Sequence, residues 1–368
     1  MTTYNIALLA GDGIGPEVMK EAVKVLNLVE ERNKDVNFEL NDVLFGAAAY
    51  FATGKAFPDE TKAACDKADA ILKGTIGLNH EDSKKIPVDE QPERGALLPL
   101  RRRYNTYANF RPVYLPKGLA HFSPLKESII GDGIDIMIIR ELVGGLYFGE
   151  KETGVDANGK RFVREVLEYD EDQIRQIIKV GFEVSMKRKK VMHNIHKSNV
   201  LKSSVLWNEI VEEESKNYPE VEVKNILVDA AATYLCLNPG MFDVMVMENM
   251  FGDILSDQGG GILGSLGLMP SACKGPEKSY YEPSHGSAPD IAGKGIANPY
   301  SMIGSVALML EMSFGMEQEA KNLWAAMQSV FENGYSTSDL SKEGEANLVS
   351  TSEFGDMVCA ELAKMPVA

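Results

Sequence analysis

Residues 5–29 read NIALLAGDGIGPEVMKEAVKVLNLV. A short unbroken apolar run meets three glycines, and beyond them apolar residues return at helical spacing. The run NIALLA suits a strand buried on both faces. Gly11, Gly13 and Gly15 permit a tight turn, and Pro16 suits the first turn of a helix. The fingerprint GxGxxG is not met, because Pro16 holds the place of its third glycine, and an ordinary strand-to-helix turn is the reading that remains. The same rhythm recurs. DAILKG (69–74), DIMIIRE (135–141), KVMHNIH (190–196), NILVDAA (225–231) and FDVMVMEN (242–249) read as further buried strands with helical stretches between them. The expected fold class is α/β.

The chain has 368 residues, more than one hydrophobic core usually holds, so two domains are expected. Hydrophobic residues at 44% and charged residues at 25% place it among ordinary globular proteins. Its formal net charge of -16 argues against a nucleic-acid partner, which would need a basic face. No stretch reaches the roughly 18 apolar residues of a membrane span, so no membrane role is expected. Cys65, Cys236, Cys273 and Cys359 are scattered without CxxC pairing, which fits reduced thiols in a cytoplasmic protein. The N-terminal stretch lacks the basic region and long apolar run of a signal peptide.

Between residues 144 and 169, GGLYFGEKETGVDANGKRFVREVLEY places strand-like residues on either side of a turn rich in Gly and Asn, as in a β-hairpin arm. Residues 293–314, GKGIANPYSMIGSVALMLEMSF, open with turn residues and run into a helix apolar enough to be packed on all sides.

The sharpest chemical signal is ENMFGDILSDQGGGILGSLG (248–267). Asp253 and Asp257 share a face if this segment is helical, and like charges stacked there repel. A hard cation such as Mg²⁺ or Mn²⁺ would relieve that repulsion, although acidic pairs at this spacing also occur on solvated helices. PERGALLPLRRRYNTYANFRP (92–112) brings Arg101 and Arg111 near the apolar pair Leu97 and Leu98. Arg140 follows DIMII and should emerge at the carboxyl end of a strand, where α/β folds build their sites. Arginines so placed serve structural ion pairs or, if they converge, grip a carboxylate bidentately. Lys197 lies just past one strand, and Asp229 inside or at the end of another. A lysine can serve as a general base and an aspartate can complete a set of oxygen ligands, while charged residues after strands are also unremarkable. His193 and His196 lack zinc-ligand companions and read as packing or hydrogen-bonding residues.

In chain order GDGIGPEV, PERGALLPLR, YANFRP, IRELVGGLYFG, HKSNVL, VDAAA, NMFGDILSD and EPSHGSAPDIAGKGIANP resemble the isopropylmalate dehydrogenases, within the β-decarboxylating dehydrogenases that include isocitrate enzymes. The resemblance covers essentially the whole chain. It implies an open parallel or mixed sheet in two domains: a discontinuous cofactor-binding domain, 1–106 plus 264–368, and a second, 107–263, carrying the dimer interface and the arm, with the active site in the cleft between them. It implies that Arg101, Arg111 and Arg140 bind the leaving carboxylate and that Tyr147 and Lys197 form the acid–base pair. Asp229, Asp253 and Asp257 would hold Mg²⁺ or Mn²⁺, and Asp229 would also touch substrate. Leu97, Leu98 and Val200 would take a branched alkyl group. Lys197 and Asp229 are expected from the partner of a homodimer with shared active sites. For NAD the resemblance implies Gly77, Glu93, His285, Gly286, Ser287, Ala288, Asp290, Ile291 and Asn298, with Asp290 disfavouring the 2′-phosphate of NADP. His196 stands where isopropylmalate enzymes usually carry aspartate, so D-malate, tartrate, homoisocitrate or another 3-alkylmalate stay open as substrates beside 3-isopropylmalate. A non-catalytic regulatory subunit is the reading from another class, opposed by retention of Tyr147, Lys197 and all three aspartates.

Overall fold

A computed structural model describes residues 1–341 and 347–367. The chain divides into two compact units, one formed by Met1–Tyr104, Gly118–Pro124 and Leu263–Ala368, the other by Asn105–Lys117 and Leu125–Ile262. The fold class is α/β.

In the first unit the strands run in the order Val36–Asp42, Thr2–Gly11, Ala70–Thr75, Ser279–Pro283, Pro270–Lys274, parallel except for the last pair. Every residue of Ala70–Thr75 is buried, Lys73 included, so the run shows no alternation. Helix Gly15–Arg32 follows the first strand with a proline in its first turn. Close approach explains the glycines here: a Cβ on Gly15 or on Gly74 would collide with the Ala10 carbonyl oxygen. Helix Tyr300–Met312 is buried continuously from Tyr300 to Leu310, its largely apolar sequence interrupted there only by Ser301 and Ser305, whose hydroxyls bond to backbone carbonyls.

In the second unit the order is Ala108–Pro116, Gly133–Glu141, Val244–Met247, Val191–His196, Glu222–Leu227, with the first pair antiparallel. Val244–Met247 is buried throughout, which is why its sequence is apolar without interruption. The hairpin pairs Lys151–Val155 with Arg161–Glu165 around a turn at Gly159, whose φ of +78° suits glycine.

Two expectations need correction. The run NILVDAA is not one buried strand. The strand ends at Leu227, it is a half-exposed sheet edge, and helix Val228–Leu237 starts at once, putting Asp229 in its first turn. Second, Gly118–Pro124 belongs to the first unit although it falls within 107–263. Phe122 stacks edge-on against Phe331 at 5.3 Å, and Gly264 has no side chain because the Phe122 carbonyl lies where a Cβ would go.

Gly74→Ala should cost about 1 to 3 kcal/mol as an overpacked core, read from the denaturant midpoint. Gly118→Ala, whose Cβ meets nothing within 4 Å, is the matched surface control. Equal midpoints for the two variants would show that the strand-to-helix turn has slack.

Candidate active site

Helix Asn249–Leu263 follows directly on strand Val244–Met247. Its start is capped by the Glu248 carboxylate, which accepts the Met250 and Phe251 amides at 3.1 and 3.0 Å. Phe251, Leu255 and Ile262 are buried and fix the helix face. Gly252 lies where a Cβ would collide with the side chain of Arg140, and a Cβ on Gly259 would stand 2.8 Å from Val113. These glycines let the helix settle against the strands that carry the arginines.

Arg140, only 1% exposed, therefore reaches Asp253 through Nη1 and donates to Asn249 Oδ1 from Nε at 3.1 Å and Nη2 at 2.8 Å. The phenol of Tyr147 donates to the other Asp253 oxygen at 2.7 Å. One turn on, Arg111 pairs with Asp257 Oδ1 at 3.3 Å and donates to Ser256 Oγ at 2.7 Å, while its Nε is fixed by Asn109 at 2.8 Å. Two arginines are thus held in place by asparagine and serine, and both carboxylates face guanidinium groups.

Burial, with the neighbouring Asp253 charge, raises the Asp257 pKa against the pull of Arg111 and Arg140. A carboxylate disfavoured as an anion at this spacing from another is suited to a hard cation, so the donor set fits Mg²⁺ or Mn²⁺. Tyr147 is pushed up to about 12, first by burial and then by its bond to Asp253. It stays protonated at neutral pH and can donate its proton.

Lys197 and Asp229 form a separate pair at 2.6 Å. The lysine follows strand Val191–His196, its amide held by Ser204 Oγ at 3.0 Å. The bond to Lys197 lowers the pKa of exposed Asp229. Neighbouring His196 is buried, which lowers its pKa, and its Nδ1 accepts the Ser198 amide at 3.2 Å. His193 packs edge-on against Phe242. Val200 is exposed. Among the described residues no group of three or more His, Cys, Asp or Glu side chains could hold a metal, so Asp229 does not join Asp253 and Asp257 within one chain.

Arg101 belongs to the first unit. It sits on helix Leu98–Tyr104 behind a π-helical turn, Pro92–Leu97, which leaves Leu97 and Leu98 half-buried. Its Nε donates to Tyr280 Oη at 3.1 Å, and Glu282, 3.9 Å away, is itself paired with buried Lys73 at 2.7 Å. Gly77 adjoins Glu93 and Ser287: a Cβ there would stand 3.1 Å from Glu93 Oε1 and 3.5 Å from Ser287 Oγ. Ile14 donates to the Ser287 carbonyl at 2.8 Å. Asp12 gathers the surrounding backbone, accepting the amides of Ala47, Ala48 and Gly77 at 2.8–3.0 Å.

In the loop His285–Asn298, Ala288 takes φ +38° and closes a turn in which the Ile291 amide reaches its carbonyl. Gly286 and Asp290 are exposed, and Asn298 is buried, donating to Asp339 at 3.1 Å. Burial lowers the His285 pKa, and its buried Nε2 has no partner among the described residues. An unsatisfied buried ring nitrogen beside exposed backbone fits a polar ligand such as a dinucleotide.

Asp12, Asn109, Asn249 and Ser256 carry no motif in the sequence, because each acts through neighbours. Only Asp12 left a signal, as a charged residue between glycines inside a strand-to-helix turn.

The family model for isocitrate/isopropylmalate dehydrogenase matches residues 5–358. A protein named 3-isopropylmalate dehydrogenase from Desulfitobacterium hafniense is 48% identical, the match covering 97% of this chain and 99% of that one. One of the same name from Thermotoga maritima is 46% identical over 98% and 99%. Among solved structures, isocitrate dehydrogenase from Methylococcus capsulatus superposes with a TM-score of 0.86 at 31% identity, covering 98% of this chain and all of that one. A β-decarboxylating dehydrogenase from Thermococcus kodakarensis gives 0.77 at 31% identity, covering 98% and 96%. Sequence and fold agree with these relatives over nearly the full length, and the chain belongs to the isocitrate/isopropylmalate dehydrogenase family.

Proposed function

We propose that this chain oxidises and decarboxylates 3-isopropylmalate, with NAD and Mg²⁺ or Mn²⁺, to 4-methyl-2-oxopentanoate and carbon dioxide, a step of leucine biosynthesis. The observation that carries the chemistry is Asp253 holding Arg140 and Tyr147 at once, one helical turn from the Asp257–Arg111 pair. Full-length likeness to proteins named for this substrate, at 46–48% identity, supports the choice of acid.

When bound, the cofactors supply hydride acceptance at C2 and polarisation of the C2 oxygen, the work of Asp253, Asp257 and a second copy's Asp229 being to hold the metal. Arg101, Arg111 and Arg140 bind the carboxylate on C3. Lys197 removes the C2 hydroxyl proton as the hydride leaves. The bond from C3 to its carboxylate then breaks, carbon dioxide departs, and Tyr147 returns a proton to C3. Leu97, Leu98 and Val200 receive the isopropyl group. Gly77, Glu93 and the run from His285 through Gly286, Ser287, Ala288, Asp290 and Ile291 to Asn298 hold the dinucleotide, and Asp290 selects NAD by repelling a 2′-phosphate.

The active form is a homodimer in which Lys197 and Asp229 of one copy complete the site of the other. The lack of a three-acid cluster among the described residues supports this. So do exposed apolar side chains on the same elements, Val200, Tyr234, Leu237 and Ile254, and on the hairpin, Val155 and Val163. The four cysteines are free, which suits a cytoplasmic enzyme.

A steady-state assay with NAD and Mn²⁺ across 3-isopropylmalate, D-malate, tartrate and homoisocitrate tests the substrate. The highest kcat/KM should fall to 3-isopropylmalate, and preference for any other acid overturns it. Asp257→Asn should sharply reduce turnover and raise the Mn²⁺ concentration needed, because a neutral amide is a poorer ligand for a hard cation. An unaltered Mn²⁺ titration removes Asp257 from the site.

Refolding Lys197→Met together with Asp257→Asn tests sharing. Random association makes about half the dimers mixed, each with one intact site, so activity should return to about a quarter of wild type. Mixed dimers confirmed by mass spectrometry but no more active than the parents would place all groups on one chain.

A further inference from the structure

Beneath the site, inside the second unit, lies a polar cluster to which the mechanism above gives no task. Glu141 ends the strand that carries Arg140, and Glu248 opens the helix that carries Asp253 and Asp257. Both carboxylates are buried, and burial raises the pKa of each. One phenol stands between them. Tyr169 Oη is 2.9 Å from Glu141 Oε2 and 3.4 Å from Glu248 Oε2, and it accepts the Asn249 amide at 3.0 Å.

The ring of Tyr169 is fixed as closely as its hydroxyl. It packs edge-on against Trp207 at 5.9 Å. On its other side a Cβ at Gly144 would stand 2.5 Å from Cε1, and one at Gly145 the same distance from Oη, so only glycines fit there. Gly145 is also the first residue of the single 3-10 turn that ends at Tyr147. The Glu141 carboxylate holds this turn from below by accepting the Val143 and Gly144 amides at 2.7 and 3.0 Å. Asn249 adds a second tie: its Oδ1 takes Arg140 and its Nδ2 donates to the Gly144 carbonyl at 3.0 Å.

We propose that Tyr169 is a positioning residue, whose hydroxyl joins the Arg140 strand, the Tyr147 turn and the start of the Asp253 helix and so sets the spacing at which Arg140 and Tyr147 meet the Asp253 carboxylate. The Arg140 strand gives the hydroxyl Glu141, the start of the Asp253 helix gives it Glu248 and the Asn249 amide, and the Tyr147 turn packs its glycines on the phenol and is tied through the same Glu141 and Asn249. Without the hydroxyl, two buried carboxylates lose their common donor and the Asn249 amide loses its acceptor, so the strand end and helix start separate. The inference rests on the metal and acid roles proposed above for Asp253 and Tyr147.

Tyr169→Phe removes the hydroxyl and keeps the ring. With the dimeric enzyme, kcat should fall between about 10- and 100-fold, the range for residues that orient metal ligands, and the apparent Mn²⁺ dissociation constant should rise by a similar factor. Mn²⁺ binding is read independently by electron paramagnetic resonance without substrate, while KM for NAD should hold. Tyr281→Phe is the control for a merely structural hydroxyl: its phenol is buried and bonded to Ser313 at 2.6 Å, so it should lower Tm alone. Glu141→Gln, which keeps the shape of the side chain, should repeat the Tyr169→Phe signature by a second route and serves if that variant does not fold. If the folded variants keep wild-type kcat and Mn²⁺ affinity and lose only Tm, Tyr169 is structural and the inference is overturned. A wild type that binds Mn²⁺ but turns over no acid of the panel would instead undo the proposed reaction.

Discussion

The site depends on the lack of a side chain at Gly252. A buried guanidinium is tolerable only if its donors are satisfied, and Arg140 meets that condition by lying along helix Asn249–Leu263, in the space a Cβ would occupy. From this contact follow the grip on Asp253, the placing of Tyr147 against the same carboxylate, and the phase of the helix that brings Asp257 to Arg111. The electrostatics are a consequence of packing. Two carboxylates one turn apart would repel, yet each faces a guanidinium held by uncharged partners, Asn249 for Arg140 and Asn109 with Ser256 for Arg111.

In the first unit backbone does the equivalent work. Asp12 spends its carboxylate on three amides, one of them from Gly77, and the Ser287 carbonyl is held by the Ile14 amide. The glycine turn after the first strand thereby anchors both loops assigned to the dinucleotide without contributing a charged side chain to solvent. Arg101 is fixed differently, through Tyr280 and the Lys73–Glu282 pair, deep in the same unit.

Buried strands were legible in the sequence because both faces demand apolar residues, so Val244–Met247 stands out as an unbroken run, and Ala70–Thr75 does so up to Leu72, before buried Lys73. The helical pairing of Asp253 with Asp257 was legible from spacing alone. NILVDAA misled because no glycine or proline separates its strand from its helix, and an apolar run by itself has no mark at the change. Gly118–Pro124 was illegible for another reason: its allegiance depends on Phe122 meeting Phe331, a contact more than 200 residues distant in sequence. The supporting residues Asn109, Tyr169 and Ser256 have no motif, since their function resides in partners that only the fold brings near.

The glycines of the aspartate helix also bear on how this protein can change. Gly259 is confined by Val113, while two residues on Gly261 faces open space. Residues of identical type in one short run are thus under unequal steric constraint. Genetic drift could replace Gly261 and even strengthen the helix, alanine being the better helix former. A side chain at Gly252 or Gly259 would instead have to displace Arg140 or Val113, so those two positions are coupled to the site's arginine strands while Gly261 is not.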